Sequence, residues 1–248
     1  MKSLFTGITD PGLLRSVNQD AYYIDPEGRF FIVADGMGGH AGGQEASRIA
    51  TQAIQTFLLD HWDSEDSSAV LLEGALLEAN RAILQDQRKH PERSDMGTTV
   101  VVVLFRNHQT WCAHIGDSRL YRLRGAKLEQ ITEDHTWVAR AMKVGDLTPD
   151  QARVHPWRHV LSQCLGREDL RQIDIQSMDV QAGDRLLLCS DGLTEELSDN
   201  LIATHLKSIR AAEKAAMALV DAAKDRGGRD NITVVIVVLD GLGQHQDA

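Results

Sequence analysis

The chain has 248 residues, 42% of them apolar and 25% charged, which is ordinary for a globular protein with ample core. A formal net charge of −10 and only 5% aromatic residues argue against a polyanion partner and against base-stacking surfaces, so no nucleic acid is expected. The longest apolar runs, such as VVVVLF at 100–105, are strand-sized and far short of a membrane span, and the N-terminus lacks the apolar length of a signal peptide. Cys112, Cys164 and Cys189 are odd in number, widely spaced and set among apolar residues. They read as small buried hydrophobes in a reducing, cytoplasmic setting.

In chain order, strands come first. TGITDPG ends in a Pro-Gly turn, AYYID is a short strand, PEG is a turn and RFFIVA is a buried strand. A glycine loop, DGMGGHAGG, leads into QEASRIATQAIQTFLLDHW, whose apolar residues at 46, 49, 50, 53, 54, 57 and 58 mark one helical face. DSEDSS interrupts and caps a second amphipathic helix, AVLLEGALLEANRAILQDQ. Strands resume with GTTVVVVLF, TWCAHIG, RLYRLRG and KLEQIT, and their turn-sized gaps favour antiparallel hairpins.

Residues 134 to about 166 lack strand signals and mix short helical pieces, TWVARAMKVG and TPDQARV, with HPWRH. This is read as a flap insertion. IDIQSMDV, the turn QAGD and RLLLCS suggest a further hairpin, helical segments occupy about 198–224, and NITVVIVVLD is the last strand. With no internal repeat and no linker, residues 1–248 read as one layered α+β domain with helices covering antiparallel sheets.

Chemistry gathers at aspartates. Asp35, Asp117, Asp191 and Asp230 each stand where a buried strand meets a turn, and Asp20 directly precedes the AYYI strand. Any one of them is explained by the liking of Asp for turns. As a set they imply carboxylates that repel one another unless a cation lies among them, and an all-oxygen donor set suits Mg²⁺ or Mn²⁺.

Other chemistries fit poorly. Gly36-x-Gly38-x-x-Ala41 imitates a dinucleotide fingerprint but lacks the second strand and its acid. There is no P-loop, and no cysteine has an arginine six residues later. His155 and His159 have metal-like spacing but no evident third ligand, so a turn held by Trp157 packing is the preferred reading.

Taken together, the runs RSVNQD (15–20), DGMGGH (35–40), MGTT (96–99), GDSR (116–119), EDHT (133–136), LLLCSDGL (186–193) and GGRDNIT (227–233) resemble the metal-dependent type-2C protein serine/threonine phosphatases. They stand in that family's order over nearly the whole chain. HPWRHVLSQCLGREDL also resembles cyanobacterial members that dephosphorylate the P-II signal protein. Cys164, where Ala is usual, and Asp20, where many eukaryotic members carry Glu, depart from family habit.

The resemblance implies a four-layer α-β-β-α sandwich with two central antiparallel sheets and the flap, working as a monomeric catalytic domain alone. It implies two Mn²⁺ or Mg²⁺ ions and a third. Asp35 would bridge two ions, with the Gly36 carbonyl, Asp191, Asp230 and, largely through water, Asp20. Asp117 and Asp191 would hold the third ion. The reaction implied is in-line attack of a metal-bridging hydroxide on a phosphoserine or phosphothreonine monoester, with no covalent intermediate. Arg15 would clamp phosphate and His40 would act as general acid. Thr136, Arg140 and Met142 are generic flap candidates for substrate choice. The implied partner is a phosphorylated signalling protein, with the P-II signal protein as the finer suggestion. A metal-dependent phosphodiesterase and a phosphoprotein-binding pseudophosphatase are the alternatives.

Overall fold

A computed structural model describes residues 2–39, 42–170 and 173–240. The elements in chain order are β1 (Lys2–Asp10), β2 (Asp20–Ile24), β3 (Phe30–Met37), α1 (Gly42–Asp60) and α2 (Ser68–Lys89). They continue with β4 (Gly97–Thr98), β5 (Val100–Arg106), β6 (Gln109–Ile115), β7 (Arg119–Arg124) and β8 (Lys127–Gln130). The rest are α3 (Trp137–Lys143), α4 (Pro149–Arg153), β9 (Asp174–Met178), β10 (Arg185–Cys189), α5 (Asp191–Thr194), α6 (Asp199–Ser208), α7 (Ala212–Asp225) and β11 (Ile232–Asp240).

Two antiparallel sheets result. One has the order β1-β11-β10-β7-β8, and the other β2-β3-β5-β6-β9 with β4 paired to β3. Strands with no polar alternation explain the layering, because a sheet buried on both faces needs apolar residues on both. In β3, Phe30, Ile32 and Ala34 pack among Ala46, Ile54, Leu72 and Leu76 of α1 and α2. The residues between them, Phe31 and Val33, face the opposite way and meet Leu186, Leu188, Val235 and Val237 of the other sheet. Val234 and Ile236 turn from that sheet toward Leu206, Ala216, Leu219 and Val220 of α6 and α7. Three apolar layers therefore separate helices, sheet, sheet and helices, the expected four-layer sandwich. Polar groups serve the same scaffold. Ser67 caps α2 by accepting the Val70 N–H, and the buried Arg106 guanidinium donates to the carbonyls of Trp62, Ser64 and Asp66, holding the α1–α2 turn.

Some expected local pairings change. IDIQSMDV and RLLLCS do not form a hairpin: β9 pairs with β6, whereas β10 lies between β11 and β7 in the other sheet. The burial pattern gives the reason. β9 is partly exposed and suits an edge, while every residue of β10 is buried and needs neighbours on both sides. The short gap between β6 and β7 is likewise a crossing between sheets through Gly116–Ser118. GTTVVVVLF breaks at Thr99, so β4 pairs with the end of β3 while β5 pairs with its start. These crossings position the site.

Candidate active site

At one edge of the sandwich, where the chain crosses from sheet to sheet, the aspartates gather: two at crossings, two at strand ends and one within a strand. Asp20 opens β2 after the crossing from β1, and Asp117 occupies the crossing from β6 to β7. Asp191 opens α5 after β10, and Asp230 precedes β11. Asp35 differs from the expected strand end: it lies within β3, directly opposite Asp20 in the β2–β3 register. The strand continues because β4 supplies a partner for Gly36 and Met37.

Hydrogen bonds fix these positions. The Asp35 N–H donates to Thr99 Oγ1 at 3.1 Å, and Thr98 Oγ1 donates to the Asp35 carbonyl at 2.8 Å. Thr98 and Thr99, read as a buried strand start, thus also hold the Asp35 peptide. Asp20 Oδ2 accepts from Ser190 Oγ at 2.7 Å and Thr233 Oγ1 at 2.6 Å, which ties the acid of one sheet to the strands of the other. Asn231 accepts the Gln19 N–H at 2.7 Å and donates to the carbonyls of Pro11 and Val17, each at 3.0 Å. It thereby folds the loop that carries Arg15.

Gly36 is required by close approach. A Cβ there would stand 1.9 Å from the Gly43 carbonyl oxygen at the start of α1, and its own N–H donates to the Gln19 carbonyl at 3.1 Å. Gly192 has the same constraint, with the Asn231 carbonyl 2.0 Å from its Cβ position.

The electrostatics are those of an acidic cluster only partly compensated by Arg15 and Arg119. Burial, then repulsion from Asp20, Asp191 and Asp117, holds the Asp35 carboxyl well above the usual carboxylate range. Burial and then Asp191 raise Asp117 in the same way. Asp20 is pushed up to about 7, chiefly by burial and against the two hydroxyl bonds that favour its charge, with Asp191 and Asp230 adding repulsion. Asp191 is pushed up to about 6, by burial and then by Asp230, while Arg15 and Arg119 oppose the shift. Asp20 Oδ1 is buried without a hydrogen-bond partner. A carboxylate oxygen in that position, among mutually repelling acids, fits a hard divalent cation.

Arg15 lies at the cluster's rim, its Nη2 2.7 Å from Asp230 Oδ2 and its side chain about half exposed. A cleft of about 820 Å³ opens beside Asp117 and Asp191. The helical excursion between Thr136 and Leu161 forms its roof, closed at the base by an antiparallel bridge between those two residues. Met142 lines the cleft. Thr136 also borders it, but its hydroxyl accepts the Ala139 N–H as the cap of α3. Arg140 is exposed and is not among the lining residues. The general-acid candidate His40 lies outside the described residues.

One residue of this wall, Glu195, escaped sequence reasoning, and its partner His159 reads in the sequence only as part of a turn. Glu195 closes α5 four residues after Asp191 and pairs with His159 Nδ1 from the roof. Burial first and Asp191 second push Glu195 up to about 7. The spacing of Asp191 and Glu195 on one helical face could have signalled it. His155 does pack with tryptophans as expected, stacking on Trp137 at 4.9 Å with Trp157 edge-on.

The comparisons agree with this geometry. The protein phosphatase 2C family model matches residues 15–224. The chain belongs to the protein phosphatase 2C family. The serine/threonine phosphatase stp of Listeria monocytogenes is 34% identical over 251 residues, covering 97% of both chains. The protein phosphatase PhpP of Streptococcus pneumoniae is 38% identical, covering 93% of this chain and 95% of the relative. The serine/threonine protein phosphatase PstP of Mycobacterium tuberculosis is 38% identical over 92% of this chain, which spans only 43% of that relative's length. The crystal structure of the M. tuberculosis PstP phosphatase superposes with a TM-score of 0.87 at 36% identity, covering 96% of this chain and 99% of that one. The catalytic domain of PstP in complex with two manganese ions gives a TM-score of 0.84 at 34% identity, covering 96% and 99%. The chain is thus an enzyme of the serine/threonine protein phosphatase class, in a family that depends on Mn²⁺ or Mg²⁺. Among the described residues no helix is long and apolar enough to cross a membrane.

Proposed function

We propose that the aspartate cluster holds two divalent cations and a third, and that the chain hydrolyses phosphoserine and phosphothreonine monoesters of proteins in one step. The observation that carries this is the convergence of five aspartates from separate segments, four of them raised by burial and mutual repulsion, with one buried carboxylate oxygen, Asp20 Oδ1, left without a partner. Asp35, the Gly36 carbonyl, Asp191, Asp230 and Asp20 would hold the catalytic pair, and Asp117 with Asp191 the third ion. When bound, such ions supply Lewis-acid charge and lower the pKa of a coordinated water.

The chain's own residues supply the rest. Thr98 and Thr99 fix the Asp35 backbone from both sides, so the carboxyl cannot retreat along β3. Ser190 and Thr233 orient Asp20 through Oδ2, leaving Oδ1 as its buried oxygen without a partner. Arg15 sits at the mouth with one carboxylate to neutralise, and its planar fork can exchange that partner for two phosphate oxygens. Leaving-group protonation is assigned to His40, with titration range rather than geometry as support.

The cleft supports a phosphoprotein substrate. Val138, Ala139, Met142 and Ala152 of the roof are apolar, while Arg153 and Arg158 are basic, a lining that fits a peptide flanking an anionic group. Of the flap candidates, Met142 is kept for substrate contact, whereas Thr136 serves α3. The phosphorylated P-II signal protein is the finer substrate proposal, resting on the stretch 155–170.

Replacing Asp35 or Asp191 with Ala should abolish Mn²⁺-dependent hydrolysis of p-nitrophenyl phosphate and remove Mn²⁺ binding in calorimetry, with the circular dichroism spectrum unchanged. Turnover retained in either variant would sink the assignment. Faster hydrolysis of a diester than of a phosphopeptide would favour the phosphodiesterase alternative.

A further inference from the structure

The cluster of His114, His135 and Asp174 lies beneath the β6–β7 crossing, and the catalytic assignment leaves it unused. Its three candidate donor atoms lie within 4.8 Å of one another. His114 and Asp174 are cross-strand partners at one end of β6 and β9, and the two imidazoles stack at 4.6 Å. The composition invites a transition-metal reading, since two imidazoles and a carboxylate suit zinc.

The hydrogen bonds argue otherwise. The Gly116 N–H donates to His135 Nδ1 at 3.2 Å. That atom must carry a lone pair, so the proton of the neutral ring is on Nε2, 3.1 Å from Asp174 Oδ2. A metal at Nε2 would displace this proton while Nδ1 still accepts, which demands an imidazolate. The same bonds describe a clamp on one residue, through the two peptide units that flank its Cα. The His135 N–H donates to the Gly116 carbonyl at 2.9 Å, so a single residue grips both polar groups of Gly116. Gly116 has φ +101°, and a Cβ there would stand 2.5 Å from the Thr99 side chain, so the turn is confined on its other face as well. The next residue is Asp117. On the flap side, the His135 carbonyl accepts the Ser162 N–H at 2.8 Å.

We infer that His135 is a positioning residue for Asp117: its Nδ1 accepts the Gly116 N–H, and Asp174 fixes the ring tautomer that makes this possible. This rests on the assignment of Asp117 to a cation. Without the acceptor, the Ile115–Gly116 peptide loses its side-chain anchor and can rotate, leaving Gly116 held only through its carbonyl and letting the Asp117 carboxyl shift away from Asp191. A partner of a metal ligand placed in this way commonly governs affinity by about ten- to a hundredfold.

The test uses two isosteres that differ in which imidazole nitrogen they imitate. His135→Asn places an amide oxygen near Nδ1 and keeps the acceptor; His135→Gln reaches only toward Nε2 and loses it. Mn²⁺ binding is followed by calorimetry and by electron paramagnetic resonance of free Mn²⁺, with activity and thermal unfolding measured alongside. His135→Gln should weaken one Mn²⁺ site by about tenfold or more while the other sites keep their affinity, and His135→Asn should restore it to within about threefold. In an Asp117→Ala background, His135→Gln should change Mn²⁺ binding no further.

Equal Mn²⁺ binding by the Gln and Asn variants would overturn the inference, as would uniform weakening of all sites in step with lost thermal stability. If Asp117→Ala itself leaves Mn²⁺ binding unchanged, the assignment of Asp117 fails instead. An extra equivalent of Zn²⁺ that binds the wild type, and is lost in a His114→Ala, Asp174→Asn double variant, would also overturn it in favour of a metal site.

Discussion

Replacing Asn231 with Ala tests how the loop that carries Arg15 is held. The side chain is buried and makes three bonds, one accepted from Gln19 and two donated to Pro11 and Val17. A neutral hydrogen bond contributes about 1 kcal/mol net, and an orphaned buried group costs more. Pro11 and Val17 lie in an exposed stretch where water can reach their freed carbonyls. The loss is therefore about 2–3 kcal/mol, which for a chain of this size lowers Tm by roughly 5–10 °C. Because the same loop presents Arg15, KM for a phosphomonoester should rise several-fold while kcat changes little. Asn231→Asp keeps the acceptor for Gln19 but turns a donor into an anion facing two carbonyls, beside Asp230, and should destabilise more than Ala. Gln52→Ala, which removes one exposed bond from Arg48 on the outer face of α1, is the control and should shift stability by no more than about 0.5 kcal/mol. Differential scanning fluorimetry and steady-state kinetics measure all three. A Tm for Asn231→Ala within about 2 °C of wild type, or a rank order with Asp milder than Ala, would refute the reasoning.

Two more outcomes follow from the acids and from Arg15. With chelator present, stability should rise as pH is lowered from 8 to about 6.5, because Asp20 titrates near 7 when folded but near 3.8 when unfolded, so the folded state holds the extra proton in that window. Below it, His114 and His159, whose ring pKa values are lowered chiefly by burial, oppose the gain. Saturating Mn²⁺ should abolish or invert the trend in Tm, and a flat profile in chelator would contradict the electrostatic account. Arg15→Lys should keep the attraction to Asp230 but lose the bidentate fork, raising KM for phosphopeptide about tenfold with Mn²⁺ affinity nearly unchanged. An equal loss of Mn²⁺ binding would show that Arg15 serves the ion site instead.

The layers and the acids were legible because their signals are local. Apolar runs such as FFIVA and ITVVIVV have no polar alternation, which announces burial on both faces, and the repeated strand-to-turn setting of the aspartates announced a cluster. Strand partnership was less legible. The gap at 116–118 is as short as a hairpin, and only the packing of the second sheet decides that the chain crosses there. For the same reason β9 and β10 were read as neighbours, although the difference between IDIQSMDV and RLLLC already indicated an edge strand and a central one. Side-chain partnerships over long separations, Ser190 and Thr233 with Asp20 or His159 with Glu195, have no sequence periodicity to reveal them.

The gathering of the aspartates at one edge has a cost in evolvability. Asp20 and Asp35 face each other in register, and the bonds from Ser190 and Thr233 tie Asp20 to the opposite sheet. Selection for a sturdier metal-free chain would find its easiest gains here, by exchanging a repelled acid for an uncharged residue. Every such exchange removes a proposed ligand. Improvement by drift or by engineering is thus confined to the outer helices and loops, and a library screened for heat resistance alone should enrich inactive sequences at positions 20, 35 and 191.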